Sequence, residues 1–166
     1  MEADLFDEAD LYRSLAGCGA RVLLIGRRAV IAWGIPVITA DYDIWIAAED
    51  VETVNRALAT LEMWPNLEPD VARTRGRYVI ENGEHVDVLL ARSVVTVDGE
   101  RVSFDDVWQR REEIEVAPNV RLPIPTIDDL ILTKRFAARP KDAEDIRLLR
   151  ALKGENLLVS LAKKTP

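Results

Sequence analysis

Two aspartates interrupt one of the most apolar stretches of this chain. Thr39-Ala40-Asp41-Tyr42-Asp43 runs directly into Ile44-Trp45-Ile46. On a strand, residues two apart project from the same face, so Asp41 and Asp43 would point the same way from an otherwise apolar element. Like charges that close raise each other's pKa and repel unless a cation lies between them. Hard divalent ions such as Mg2+ take this kind of oxygen pair. The plainer alternative is a solvated acidic strand end. Upstream, Val22-Leu23-Leu24-Ile25 is a short, strongly apolar strand, and Gly26 lets the backbone turn after it.

A chain of 166 residues is most simply one domain, large enough to bury a core without disulfide or metal staples. An apolar fraction of 48% with 31% charged residues argues against disorder. The formal net charge is −7, and it is uneven: residues 1–70 hold 13 acids and 5 bases, residues 71–166 hold 16 acids and 17 bases. Such a balance gives no global steering toward nucleic acid, although local basic clusters could still take a polyphosphate or RNA. Cys18, the one cysteine, excludes an internal disulfide and a multi-cysteine zinc site. The acidic start, Met1-Glu2-Ala3-Asp4, lacks the basic, then apolar, pattern of a secretion signal. No apolar run approaches the ~20 residues that cross a bilayer. A cytoplasmic protein without a membrane partner is the expectation.

Along the chain, residues 4–16 are a predicted amphipathic helix with Leu5, Tyr12 and Leu15 on one face. Helical composition returns over 28–33 and again over 49–63, where Val51, Val54, Leu58 and Leu61 share a side. Trp64-Pro65-Asn66 breaks the chain. Asn82-Gly83 between two apolar runs predicts a hairpin of 78–80 with 85–90, and Asp98-Gly99 predicts another of 94–97 with 101–104. Residues 107–125 are ambiguous, with a short helix and strands near 114–116 and 120–122. Thr126 and Asp129 form a capping box for a helix. Pro140 opens the next helix, about 140–152, and a short final helix over 155–162 precedes a basic tail.

A third carboxylate fits the opening pair. In His85-Val86-Asp87-Val88-Leu89-Leu90, Asp87 faces away from Val86 and Val88, and a charge inside an apolar strand is costly unless paired or metal-bound. Asp87 is a metal ligand if its strand lies beside 41–46, or an ion-pair partner of Arg73, Arg75 or Arg77. Three converging carboxylates suffice for two Mg2+ ions bridging a nucleoside triphosphate. His85 shares the face of Asp87, as a partner for the carboxylates or an aid to proton transfer.

Gly26, the thirteen residues between Arg27 and Asp41, the Asp-x-Asp pair and the later strand aspartate resemble the DNA polymerase β-like nucleotidyltransferase superfamily. The likeness is greatest to the small bacterial enzymes that include AbiE-type toxins. The run Asp129-Leu130-Ile131-Leu132-Thr133-Lys134-Arg135-Phe136-Ala137-Ala138-Arg139-Pro140-Lys141-Asp142-Ala143-Glu144-Asp145-Ile146 is similar to their C-terminal signature. The resemblance covers roughly residues 20–150. It implies an α+β fold, a mixed sheet flanked by helices with further helices at the C-terminus, as a single domain with a core over about 20–125 and a helical part over 126–162. It also implies an Mg2+-dependent transfer of a nucleoside monophosphate from an NTP to a hydroxyl of RNA or protein, in a toxin that a cognate antitoxin protein restrains. By position, Asp41, Asp43 and Asp87 become catalytic metal ligands, while Gly26, Arg27 and Lys134 hold the nucleotide. Lys141 adds positive charge for phosphates, or forms a helix-surface pair with Asp145 four residues on.

Two positions depart from the pattern. Arg27 stands where the superfamily carries Ser or Gly, and Val37 where many members have arginine. A small residue after the glycine lets backbone N–H groups approach phosphate; the guanidinium of Arg27 either binds phosphate itself or obstructs the pocket. The second functional class consistent with these residues is therefore a module that binds a nucleotide or a partner protein without turnover.

Overall fold

The computed structural model describes residues 5–136 and 139–163. Asp4 of the first predicted helix, Ala137 and Ala138 of the signature, and the tail from 164 lie outside the described residues.

The first strand, β1 (Val22–Ile25), is buried along its whole length. It runs antiparallel to β2 (Tyr42–Ile46), with Ile25 opposite Asp43. β2 in turn lies parallel to β5 (Glu84–Leu89), which pairs antiparallel with β4 (Arg77–Asn82) through the predicted turn at Gly83. A two-residue edge strand, β3 (Trp64–Pro65), completes the order β1-β2-β5-β4-β3. One parallel pair among antiparallel ones makes the sheet mixed, as the resemblance implies. Two hairpins stand apart from it: β6 (Ser93–Val95) with β7 (Arg101–Ser103), and β8 (Glu112–Ala117) with β9 (Val120–Ile124).

The two faces of the sheet bury different cores. Val22, Leu24, Tyr42, Ile44, Ile46, Val86 and Val88 face the main core. There they meet Leu11 and Leu15 of α1 (Glu8–Gly17), Val54 and Leu58 of α3 (Val51–Ala59), and Leu122 and Ile124 of β9. The alternate residues Leu23, Ile25 and Trp45 pack on a smaller cluster with Val102, Phe104 and Val107, the last two from α5 (Phe104–Arg110). That cluster covers only part of the second face. The rest stays open, and the carboxylates emerge there. The main core also takes Leu130 of α6 (Ile127–Lys134) and Leu149 of α7 (Pro140–Lys163), so the C-terminal helices pack on the sheet domain.

Several expectations change. Asp7 caps α1, its carboxylate accepting from the Ala9 amide at 2.9 Å; the helix therefore starts after Leu5, which is 92% exposed and leaves the apolar face to Leu11, Tyr12 and Leu15. A helix absent from the sequence reading, α4 (Pro69–Arg75), has Pro at its start and Gly76 in the left-handed conformation at its end (φ 78°), the usual stop arrangement. Thr126 caps α6 through the Asp129 amide (3.1 Å), but the Asp129 carboxylate does not close the box: it accepts two bonds from Arg110 (2.9 and 3.0 Å). The two predicted C-terminal helices are one, because Gly154 continues α7 without a left-handed φ. From Lys153 to Ala162 every residue of that helix is exposed. Among the described residues, no helix is long and apolar enough to cross a membrane.

Candidate active site

The parallel pairing of β2 and β5 sets Asp43 directly beside Asp87. Residues opposite each other in neighbouring strands share a face and lie about 5 Å apart, so the two carboxylates rise together from the open part of the sheet. Asp41 ends just before β2 begins and is exposed. All three aspartates, with Gly26, line one cavity of about 250 Å³.

Gly26 is where β1 turns into α2 (Gly26–Ala32). Its φ is +67°, and a Cβ there would lie 2.5 Å from Asp43 Oδ2. Both the left-handed backbone and the close approach demand glycine. The residue thus makes room for the Asp43 carboxylate, whatever ligand the cavity receives.

Cations line the same cavity: Lys134 from the end of α6, Arg139 just before α7 and Lys141 in its first turn, together with the exposed Phe136. Arg139 is held by the buried Asp142, which accepts from its Nε at 2.8 Å. Burial, then the neighbouring Asp87 and Asp41, push the Asp43 carboxyl above its ordinary pKa; Lys134 and Lys141 pull it part of the way back.

Lys134 does not project freely into this space. Its Nζ donates to Asp145 Oδ2 at 2.9 Å, with Asp145 fully buried and Lys134 nearly so. Arg27 reaches the same carboxylate through Nε and Nη2, each at 3.2 Å. Arg27 is not among the residues lining the cavity. The pattern expected on a helix surface, Lys141 with Asp145, is replaced by a buried cluster joining α2, α6 and α7. Val37 packs at the edge of the main core.

His85 does share the face of Asp87. Its Nε2 lies 3.5 Å from Asp87 Oδ1 and its Nδ1 3.3 Å from Glu81 Oε2. Of the arginines offered as partners for Asp87, Arg73 is bound to Glu52 and Asp70 instead, while Arg77 lines the cavity with Asp87. Arg139, Asp142 and Phe136 were not assigned to the site from sequence, although the signature that contains them marks the α6–α7 junction.

The donor set suits a hard cation. Asp43 and Asp87 supply adjacent carboxylates whose mutual repulsion a divalent ion would relieve. Among the described residues, no group of three or more His, Cys, Asp or Glu side chains is already drawn around one point as a metal cage. Mg2+ keeps several waters and is commonly bound by one or two carboxylates plus substrate phosphates. The adjacent pair of carboxylates fits a hard divalent cation such as Mg2+.

No known protein-family profile and no curated protein sequence matches this chain. Solved structures do. The lincosamide antibiotic adenylyltransferase LnuA in its lincomycin-bound form superposes with a TM-score of 0.61 at 14% identity, over 88% of this chain and 98% of LnuA. ANT(2'')-Ia in complex with adenylyl-2''-tobramycin gives 0.62 at 15% identity, over 91% of this chain and 90% of that one. The solution structure of ANT(2'')-Ia, an antibiotic-resistance factor, gives 0.61 at 13%, over 94% and 92%. The chain has the nucleotidyltransferase fold.

Proposed function

We propose that this protein transfers a nucleoside monophosphate from an NTP to a hydroxyl group and releases pyrophosphate, with Mg2+ as cofactor. The observation that carries this reading is the side-by-side placement of Asp43 and Asp87 in a cavity that Lys134, Arg139 and Lys141 also line. A polyanion and its cation need that juxtaposition of acid and base. Asp41, Asp43 and Asp87 are the residues that would hold the metal, which supplies charge neutralisation at the transferring phosphoryl group. On this reading the Asp87 carboxylate would orient the acceptor hydroxyl and take its proton. Gly26 keeps the wall open at Asp43, and the cations of α6 and α7 face the triphosphate. Arg27, turned toward Asp145, contributes to that wall through the buried cluster rather than by contact.

For the acceptor, RNA or protein remains the first reading, with the toxin of a toxin–antitoxin pair as the setting; both rest on the signature at 129–146. A small hydroxyl-bearing acceptor is the second, favoured by structural neighbours bound to lincomycin and to adenylyl-2''-tobramycin.

The test is direct. The purified protein is incubated with each α-labelled NTP and Mg2+, and with total RNA, cell extract, lincomycin or tobramycin as separate acceptors. An Asp41→Ala/Asp43→Ala variant runs in parallel. Label transfer that disappears in the variant supports the enzyme. Metal-dependent NTP binding without transfer to any acceptor leaves the binding module, and absence of both removes each reading.

A further inference from the structure

The sheet accounts for the placement of Asp43 and Asp87, but not of Asp41. Asp41 precedes β2 and closes a segment, 35–41, that contains no helix or strand. Within it the Val37 amide donates to Ile35 O (3.0 Å) and the Asp41 amide to Thr39 Oγ1 (3.2 Å). Ile38 is 92% exposed, so packing does not hold the segment at that point.

The start of the segment is held by the buried Ile35, whose amide donates to Val30 O (3.2 Å), and by Val37 at the edge of the main core; beyond Val37 its further anchors come from the first turn of α2. Arg27 Nη1 donates to Ile38 O at 2.9 Å. Arg28 donates through Nη2 to Thr39 O at 3.1 Å and through Nε to Asp41 O at 3.2 Å. Each guanidinium is itself fixed from behind. Arg27 is tied to Asp145. Arg28 lies over the Tyr42 ring, 4.1 Å from its centroid, and its Nη1 donates to Glu8 Oε1 at 2.6 Å; the hydroxyls of Tyr12 and Tyr42 donate to the same oxygen.

We infer that Arg27 and Arg28 are positioning residues: as a pair they clamp the 38–41 segment and so aim the Asp41 carboxylate into the cavity. Arginine is suited to this because its rigid fork makes several directed bonds at once, whereas one ammonium cannot span the same partners. The clamp also gives Arg27, at the position where a small residue is usual, a function other than phosphate contact. Its consequence for metal binding rests on the proposed function; the clamp itself does not.

The experiment uses the full-length protein and the single variants Arg27→Lys and Arg28→Lys. Each keeps the charge facing Asp145 or Glu8, and if one fails to fold the other still decides. Amide hydrogen exchange is followed by residue, and Mn2+ alone is titrated as the metal probe. The expected result is faster exchange at Val37 and Asp41, unchanged exchange along β5, and about a 10-fold loss of Mn2+ affinity, the scale on which residues that orient metal ligands act. Unchanged exchange in the folded variants would overturn the clamp. Faster exchange with unaltered Mn2+ affinity overturns the aiming of Asp41. Should the wild-type protein take no Mn2+ while exchange still rises, the clamp stands and the metal-dependent reading fails.

Discussion

Asp43 sits where a carboxylate is least comfortable, partly buried and flanked by Asp87 and Asp41. Its raised pKa means that the folded protein holds the proton more tightly than the unfolded chain does. Without a cation, the full penalty applies above the folded pKa, and stability increases as pH falls through it toward the ordinary carboxylate value. Asp43→Asn removes the charge and keeps the shape. The expected outcome is a variant with a higher Tm than the wild type near pH 7, because the buried like-charge repulsion is gone. Calorimetry across pH should show the advantage shrinking as the wild type becomes protonated, while metal-dependent nucleotide binding is lost. That Asp41, Asp43 and Asp87 come together at one cavity is legible in the sequence, because acids in or beside an apolar strand stand out. The reason for Gly26 is not: only the register of Ile25 with Asp43 reveals that a Cβ would strike the carboxylate.

At the scale of elements, α6 and α7 are joined to α2 through Asp145. Breaking a buried ion pair by removing one partner typically costs about 3–5 kcal/mol, because the other charge is left without compensation. Asp145→Ala is expected to fall in that range by denaturant unfolding, since it strands Lys134 in a buried position. Adding Lys134→Met should recover a large part of the loss, and a double-mutant cycle measures the coupling. Helical spacing alone suggests Lys141 as the partner of Asp145. It cannot show that the inner face of α7 turns Asp145 toward α6, where longer-range partners compete successfully. The hairpins, by contrast, are legible from Asn82-Gly83 and Asp98-Gly99, since turn chemistry is local.

On the whole-molecule scale, α7 is exposed from Lys153 to Ala162. Ending the chain after Gly154 removes exposed residues, Leu157 and Leu158 among them, and retains the Lys153–Asp128 pair (2.6 Å). Surface changes of this kind usually stay within about 0.5 kcal/mol, so the Tm should move by less than about 2 °C, with nucleotide binding retained. A larger drop would show that this end of α7 supports the fold. The sequence by itself determined particular local features: the apolar strands at 22–25 and 85–89, the Asn82-Gly83 turn, the Thr126 cap, and the acids set within apolar runs, all matters of neighbours within a few residues. The tertiary structure alone decided the parallel pairing of β2 with β5, the left-handed Gly26 beneath Asp43, the destination of Arg27 and the partners of Asp145. Those depend on contacts between residues as far apart as Arg27 and Asp145, and no local pattern carries the free energy that selects them.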